Sequence, residues 1–239
     1  MQRSSIDDDA ASKAWRAEVP DIYKQNIVDV RNKSIFHIEV FNVEETDGEQ
    51  TGLTVPVGYT SNYFTVIKMI NGLMETVSGF PLEERQLVAI NVSSSLLVDT
   101  ELLDVLLHKL EDLPHGLSIE VVQLGQLPAP RKLNAVLSVL RDRNCSMEFD
   151  DFGGSNSQNP LILSEYAFDS MKLNAAFVQN MLTSDRRLRL LKLIVDMIKT
   201  QGKRVIATGV STQVESAKLT DIGIYLQQGD YIHASELVG

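Results

Sequence analysis

Of 239 residues only one is cysteine, Cys145, and only one is tryptophan. A lone cysteine excludes an internal disulfide framework and any zinc site built on cysteines, and it fits a reducing compartment, so a cytoplasmic protein is expected. No stretch approaches the roughly 18 uncharged apolar residues that a membrane-spanning helix requires. The opening MQRSSIDDD also lacks the apolar core of a secretory leader. Positive charge is scarce: 22 Lys and Arg against 32 Asp and Glu leave a net charge of −10. Phosphate backbones attract basic stripes, so this balance argues against a nucleic-acid partner, just as the missing apolar run argues against a membrane one. Two phosphate-cradling signatures are absent as well, since no GxGxxG follows the first strand and no GxxxxGK[ST] occurs. There is no internal repeat or linker.

What is present is an alternation of short apolar runs and amphipathic stretches. Residues 1–20 are polar and carry Asp7, Asp8 and Asp9, which predicts a partly disordered segment ahead of a single domain over 21–239. SIFHIEVF, from Ser34, places Phe36, Ile38 and Val40 on one strand face and Ile35, His37, Glu39 and Phe41 on the other. An acidic link over 44–52 follows, and then Phe64, Ile67, Ile70, Leu73, Met74 and Val77 repeat as the buried stripe of a helix. LVAINVS over 87–93 is the next short run, after which Asp99 is placed to cap a leucine-rich helix. LSIEVVQ over 117–123, a helix over 131–143, SMEFDD ending at Asp151, and DSMKLN around Lys172 continue the pattern. A helix over 188–198, KRVIATGV, a helix over 212–220 and GIYLQQG complete it. This order predicts a parallel α/β architecture, and the length fits a closed (β/α)8 TIM-like barrel, with a doubly wound open sheet as the alternative.

In such a barrel chemistry sits at the carboxyl ends of the strands, where this chain collects Glu39, Asn91, Gln123, Asp150 with Asp151, Lys172, Thr208 and Gln228. That set is oxygen-rich, as a Mg2+ or Mn2+ site would be, and clustered carboxylates need a metal or a lysine as counterion.

In order and spacing these residues resemble the EAL domain of bacterial cyclic di-GMP signalling, over nearly the whole chain. EVF at Glu39 to Phe41 stands for EAL, NVS at Asn91 to Ser93 for N(L/V)S, and SIEVVQ for EiTE. DDFG at Asp150 to Gly153 is identical, MKLN aligns with KxD, IATGVS with AEGVE, and Gln228-Gly229 with QG. Gln25 occupies the place of the Gln in the family's opening QP(I/V) pair.

The resemblance implies a barrel whose two divalent metals polarise a phosphoryl oxygen of cyclic di-GMP and activate water, giving linear pGpG. By position Glu39, Asn91 and Asp150 match metal ligands, Asp151 the second aspartate, and Lys172 the lysine beside the attacking water. Other positions are neutralised: Gln123 stands for the Glu of TE, Asn174 for the Asp of KxD, and Thr208 and Ser211 for the two Glu of AEGVE. Val43 replaces the arginine that would meet a phosphate, and the loop GGSNSQNP lacks the family's TGYSS pattern. Glu39, Asp150 and Asp151 against Lys172 leave −2 where the family's site carries −5, too little to hold two Mg2+. Glu120 is expected not to compensate, because three residues separate it from Gln123 and an odd separation sends the two to opposite strand faces.

The resemblance therefore implies a non-enzyme with a vestigial site at Glu39, Asn91, Asp150, Asp151, Lys172 and Gln228. No cofactor is expected, or at most one weakly held Mg2+ or Mn2+ at Glu39, Asn91 and Asp150. The expected partner is a regulatory protein of the motility or biofilm kind, with cyclic di-GMP bound weakly or not at all. A non-hydrolysing cyclic di-GMP receptor and a weak phosphodiesterase are the alternatives. The same residues also admit a plain structural reading, with Glu39 and Lys172 as an ion pair at the barrel mouth and Asp150 with Asp151 capping the next loop. His37 reads as a packed histidine, because no second histidine lies at ligand spacing.

Overall fold

The computed structural model describes residues 22–46, 49–54, 63–81, 88–111, 113, 117–123, 126–154 and 160–238, with the backbone alone between 42 and 65. The polar segment 1–20 and residues 155–159 of the GGSNSQNP loop lie outside the described residues. Helices form where apolar residues recur at three and four, and strands where short apolar runs are buried on both faces. In β4 (Val88–Ser93) every residue is buried.

β1 (Ile22–Asp29) and β2 (Ser34–Thr46) form an antiparallel hairpin. From β2 the chain runs through β4, β5 (Ser118–Val122), β6 (Ser146–Phe152), β7 (Ser170–Leu173), β8 (Arg204–Ala207) and β9 (Leu226–Gln227), each parallel to the last. β1 pairs with both β2 and β9 and so closes an eight-stranded barrel. Within the (β/α)8 barrel that the sequence predicts, β1 is the strand that runs antiparallel to its neighbours. Only residues 30–33 join β1 to β2, and a tight turn makes an antiparallel pair, whereas a parallel crossover needs a dozen residues or more. The acidic link over 44–52 is not a plain connector either: β2 runs through Thr46 and pairs antiparallel with β3 (Glu49–Thr54).

The outer layer is helical: α1 (Tyr63–Gly79), α2 (Ser94–Leu97), α3 (Thr100–Leu110), α4 (Pro130–Arg141), α5 (Ile162–Glu165), α6 (Ala175–Met181), α7 (Asp185–Thr200) and α8 (Gln213–Asp221). Asp99 caps α3 as its position predicts, accepting from the N–H groups of Glu101 and Leu102 at 3.1 and 3.0 Å. α8 opens on a reciprocal capping box between Thr212 and Glu215. The apolar core lies between sheet and helices, where Ile38, Val40, Ile119, Val121, Met147, Phe149, Met171 and Leu173 meet the buried stripes of α3, α4 and α7.

Strand alternation sends the intervening residues the other way, into the barrel lumen. A lumen of this size is normally filled with Val, Ile and Leu. Here it receives His37 and Glu39 from β2, Asn91 from β4, Ser118 and Glu120 from β5, Glu148 from β6, and Ser170 and Lys172 from β7, all buried. Those charges are retained in a region from which water is largely excluded, so each needs a partner.

Candidate functional site

Glu39 is the centre of the lumen network. Its Oε1 accepts from Asn91 Nδ2 at 2.7 Å, and its Oε2 accepts from Lys172 Nζ at 2.7 Å and from Gln228 Nε2 at 2.6 Å. Burial pushes the Glu39 carboxyl up, but the Lys172 charge and the three donors outweigh it and hold the group below the usual carboxylate range. Gln228 reaches Glu39 because Gly229 follows it with φ 145°, pressed so closely on the turn at Val210 that an added Cβ would lie 2.3 Å from the Val210 nitrogen. The Gln-Gly pair is therefore a device for bringing an amide donor onto the central carboxylate.

Lys172 donates a second hydrogen bond, to Glu120 Oε2 at 2.6 Å. This corrects the expectation for Glu120. Ser118 and Glu120 alternate with Ile119 and Val121, so Glu120 faces the lumen, and β5 ends at Val122, one residue before Gln123. Gln123 lies beyond the strand, so the odd separation does not separate their faces. A glutamate between Ile119 and Val121 in a buried strand was the signal in the sequence. With Glu120 inside, Glu39, Glu120, Asp150 and Asp151 against Lys172 leave −3 rather than −2.

The Lys172 ammonium is held well above its usual range: burial works against the charge, and Glu120, Glu39 and Asp150 overcome it. Glu120 moves strongly upward, through burial first and then repulsion from Glu39, with Lys172 pulling it back. Of the two carboxylates sharing Lys172, Glu39 is therefore held below the usual carboxylate range and Glu120 above it. Beneath them His37 Nδ1 faces Glu148 Oε1 at 2.6 Å, and Ser118 donates to the same oxygen at 2.8 Å. His37 is packed as expected, and its close neighbour Glu148 is not announced by any local pattern in the sequence.

At the end of β6 the ladder to β7 shifts register between Phe149 and Phe152, and Asp151 adopts a left-handed φ of 65°. A bulge of this kind re-aims side chains at a strand end, and aspartate tolerates that conformation better than most residues. Asp150 has part of its surface in solvent, yet burial and the charges of Glu39 and Asp151 raise its pKa to about 6 against the pull of Lys172.

The neutralised positions are turned toward the fold. Asn174 donates to Asp151 Oδ1 at 2.5 Å and accepts from Phe177 N–H at 2.8 Å, capping α6. Thr208 Oγ1 donates to the Leu173 carbonyl at 2.8 Å. Ser211 N–H donates to Glu215 Oε2 at 2.7 Å and its hydroxyl to the Gly209 carbonyl at 3.2 Å, on the rim of α8. Val43 pairs through its backbone with Thr54, and its side chain lies outside the described residues. Gln25 also departs from the lumen, donating to the His233 carbonyl at 2.9 Å.

Could the residues present hold a divalent cation? No group of three His, Cys, Asp or Glu side chains among the described residues encloses a cation-sized space. Among the buried acceptors that receive no hydrogen bond are Asn91 Oδ1 and Glu120 Oε1. With the carboxylates of Glu39 and Asp150 these are oxygens of the kind that a hard cation such as Mg2+ or Mn2+ takes. At the ends of β7 and β8 Asn174 Oδ1 accepts from the Phe177 N–H and Thr208 Oγ1 donates to the Leu173 carbonyl, so neither position supplies a carboxylate.

Residues 12–235 match the family model of the EAL domain. The cyclic di-GMP phosphodiesterase RocR of Pseudomonas aeruginosa is 28% identical over 116 residues, covering 48% of this chain and 29% of that protein. The cyclic di-GMP phosphodiesterase PdeL of Escherichia coli is 23% identical over 203 residues, covering 80% of this chain and 55% of that protein. The chain thus matches about half or less of the length of these relatives. Among solved structures, the EAL domain of Mycobacterium smegmatis DcpA superposes with a TM-score of 0.71 at 16% identity, covering 92% of each chain. The Klebsiella pneumoniae BlrP1 complex with manganese and cyclic di-GMP gives 0.72 at 21% identity, over 92% of this chain and 56% of that one. These likenesses establish the TIM-barrel fold, and among the described residues no helix is long and apolar enough to cross a membrane. With its match to the family model over residues 12–235, the chain belongs to the EAL domain family of cyclic di-GMP signalling.

Proposed function

We propose that this chain is a catalytically inactive EAL regulatory protein of bacterial signalling that works by binding another protein. One observation carries the reading. At the ends of β7 and β8, where the resemblance calls for carboxylates, Asn174 is spent on Asp151 and the start of α6, and Thr208 on the Leu173 carbonyl. Neither brings a carboxylate to a second metal or a basic group to a water. A bound cation would polarise a phosphoryl oxygen, but hydrolysis also needs the phosphate and water in near-attack geometry, and a misplacement of about 1 Å costs on the order of a hundredfold.

The test is incubation of purified protein with cyclic di-GMP in Mg2+ and then Mn2+, with chromatographic detection of pGpG. No product above the protein-free control is expected. Product formation that disappears in Asp150→Asn would overturn the reading.

A second reading gains from Glu120. With Glu39, Glu120, Asn91 and Asp150 around one cation, the mouth supports a receptor that binds cyclic di-GMP without cleaving it. Calorimetry with the nucleotide, with and without Mn2+, separates the two: a submicromolar, Mn2+-dependent constant selects the receptor.

A further inference from the structure

α7 is built as two helices in one. Its inner side, Leu191, Val195 and Ile198, is fully buried in the core. Its outer side carries a second apolar stripe, Leu190, Leu193 and Met197, with 48%, 66% and 40% of their surfaces exposed. Single exposed leucines need no explanation, but three spaced at three and four on one helix form a continuous ridge.

The charge around that ridge is opposite to that of the molecule. α7 carries five Arg and Lys against Asp185 and Asp196, a local +3 in a chain of −10, so the remainder holds −13. Lys192 is neutralised by Asp196 at 2.9 Å, and Arg187 donates to Thr183. Arg186 and Arg189, within about 40° of Leu193 around the helix axis, make no hydrogen bond or ion pair with the described residues. Both are exposed.

We propose that the outer face of α7 is the docking surface of this protein, and that its occupant is an acidic amphipathic helix of a different protein. Such a helix sets its apolar stripe on Leu190, Leu193 and Met197 while its carboxylates meet Arg186 and Arg189 as charge-assisted pairs. A second copy of this chain is the poorer fit, because an isologous dimer would lay one +3 helix against another. An anionic membrane is disfavoured too, since the chain's net charge repels it and α7, packed on its inner side, has no freedom to sink into a headgroup layer. The inference extends the regulatory reading by naming the surface and the partner's chemistry.

The probe is a fluorescein-labelled 20-residue peptide with leucines at helical spacing and glutamates flanking them, titrated with the full chain at low salt and read by anisotropy. A small patch of this kind predicts a constant of about 10–100 μM. Leu193→Glu should weaken binding tenfold or more, Arg186→Ala with Arg189→Ala severalfold, and a peptide with lysines for glutamates should not bind. Leu193 is mostly exposed, so its variant should fold, and a thermal melt checks this.

Binding unchanged in both variants, or no binding at millimolar protein, would overturn the proposal. So would equal capture of phosphatidylserine vesicles, or a dimer that Leu193→Glu dissolves. Failure here leaves the absence of pGpG formation untouched, and pGpG formation would overturn the inactive-enzyme reading while leaving this surface to stand.

Discussion

The two sides of the barrel mouth have treated the same chemistry differently. On the side of β2, β4 and β5, Glu39, Asn91 and Glu120 remain charged or strongly polar and converge on Lys172 from β7. On the side of the β7 and β8 ends, Asn174 and Thr208 are neutral and bonded to local backbone. The first side keeps a buried ionic network that any change of charge disturbs. The second consists of a helix cap and a strand-end hydrogen bond. Asn174 and Thr208 thus have a structural task of their own, as a helix cap and as a strand-end donor.

The largest expected effect of breaking this contrast is on the ionic side. Lys172→Met leaves Glu39 and Glu120 buried without a countercharge and should destabilise the fold by about 3–5 kcal/mol, measured by urea unfolding at pH 7.5. A change below about 1 kcal/mol would mean that the network is solvated.

Asp150 gives the next effect, with a pH signature. Its folded pKa of about 6 lies above the unfolded value of about 3.9, so between those values the folded state binds more protons and stability falls as pH rises. Below about pH 4 the carboxyl is neutral in both states and the penalty vanishes. Asp150→Asn should accordingly stabilise the metal-free protein by about 1–2 kcal/mol at pH 7.5 and make no difference at pH 4, seen as a pH-dependent gap between the two melting curves.

On the neutral side the effects shrink. Asn174→Asp keeps a good helix cap but turns a donor to Asp151 into a second carboxylate, so it should cost about 1 kcal/mol without metal and tighten Mn2+ binding severalfold by calorimetry. Thr208→Val removes one hydrogen bond to the Leu173 carbonyl and should cost about 1 kcal/mol in denaturant unfolding, with nucleotide behaviour unchanged.

Much of this was legible in the chain. The strand and helix order, the Asp99 cap and the meeting of Glu39, Asn91, Lys172 and Gln228 follow from alternation and helical spacing, helped by a resemblance spread over many short motifs. What was missed has physical reasons. The place of Glu120 does not follow from its spacing to Gln123, because face alternation holds only inside a strand and β5 stops at Val122. The antiparallel β1 depends on the brevity of the 30–33 turn, which the apolar pattern does not register. The His37 to Glu148 pair joins residues over a hundred positions apart in sequence, and no local pattern announces such a contact.

Under the proposed reading the mouth can hold at most one metal ion, on the side of β2, β4 and β5. The most direct test of that reading is the Mn2+ stoichiometry of the purified chain by calorimetry and electron paramagnetic resonance. The account predicts a single weak site per chain, lost in Asp150→Asn and in Glu39→Gln, with no spin coupling between ions. Two Mn2+ bound per chain and magnetically coupled would contradict it, because that requires a second set of ligands at the ends of β7 and β8, where Asn174 and Thr208 stand in place of carboxylates.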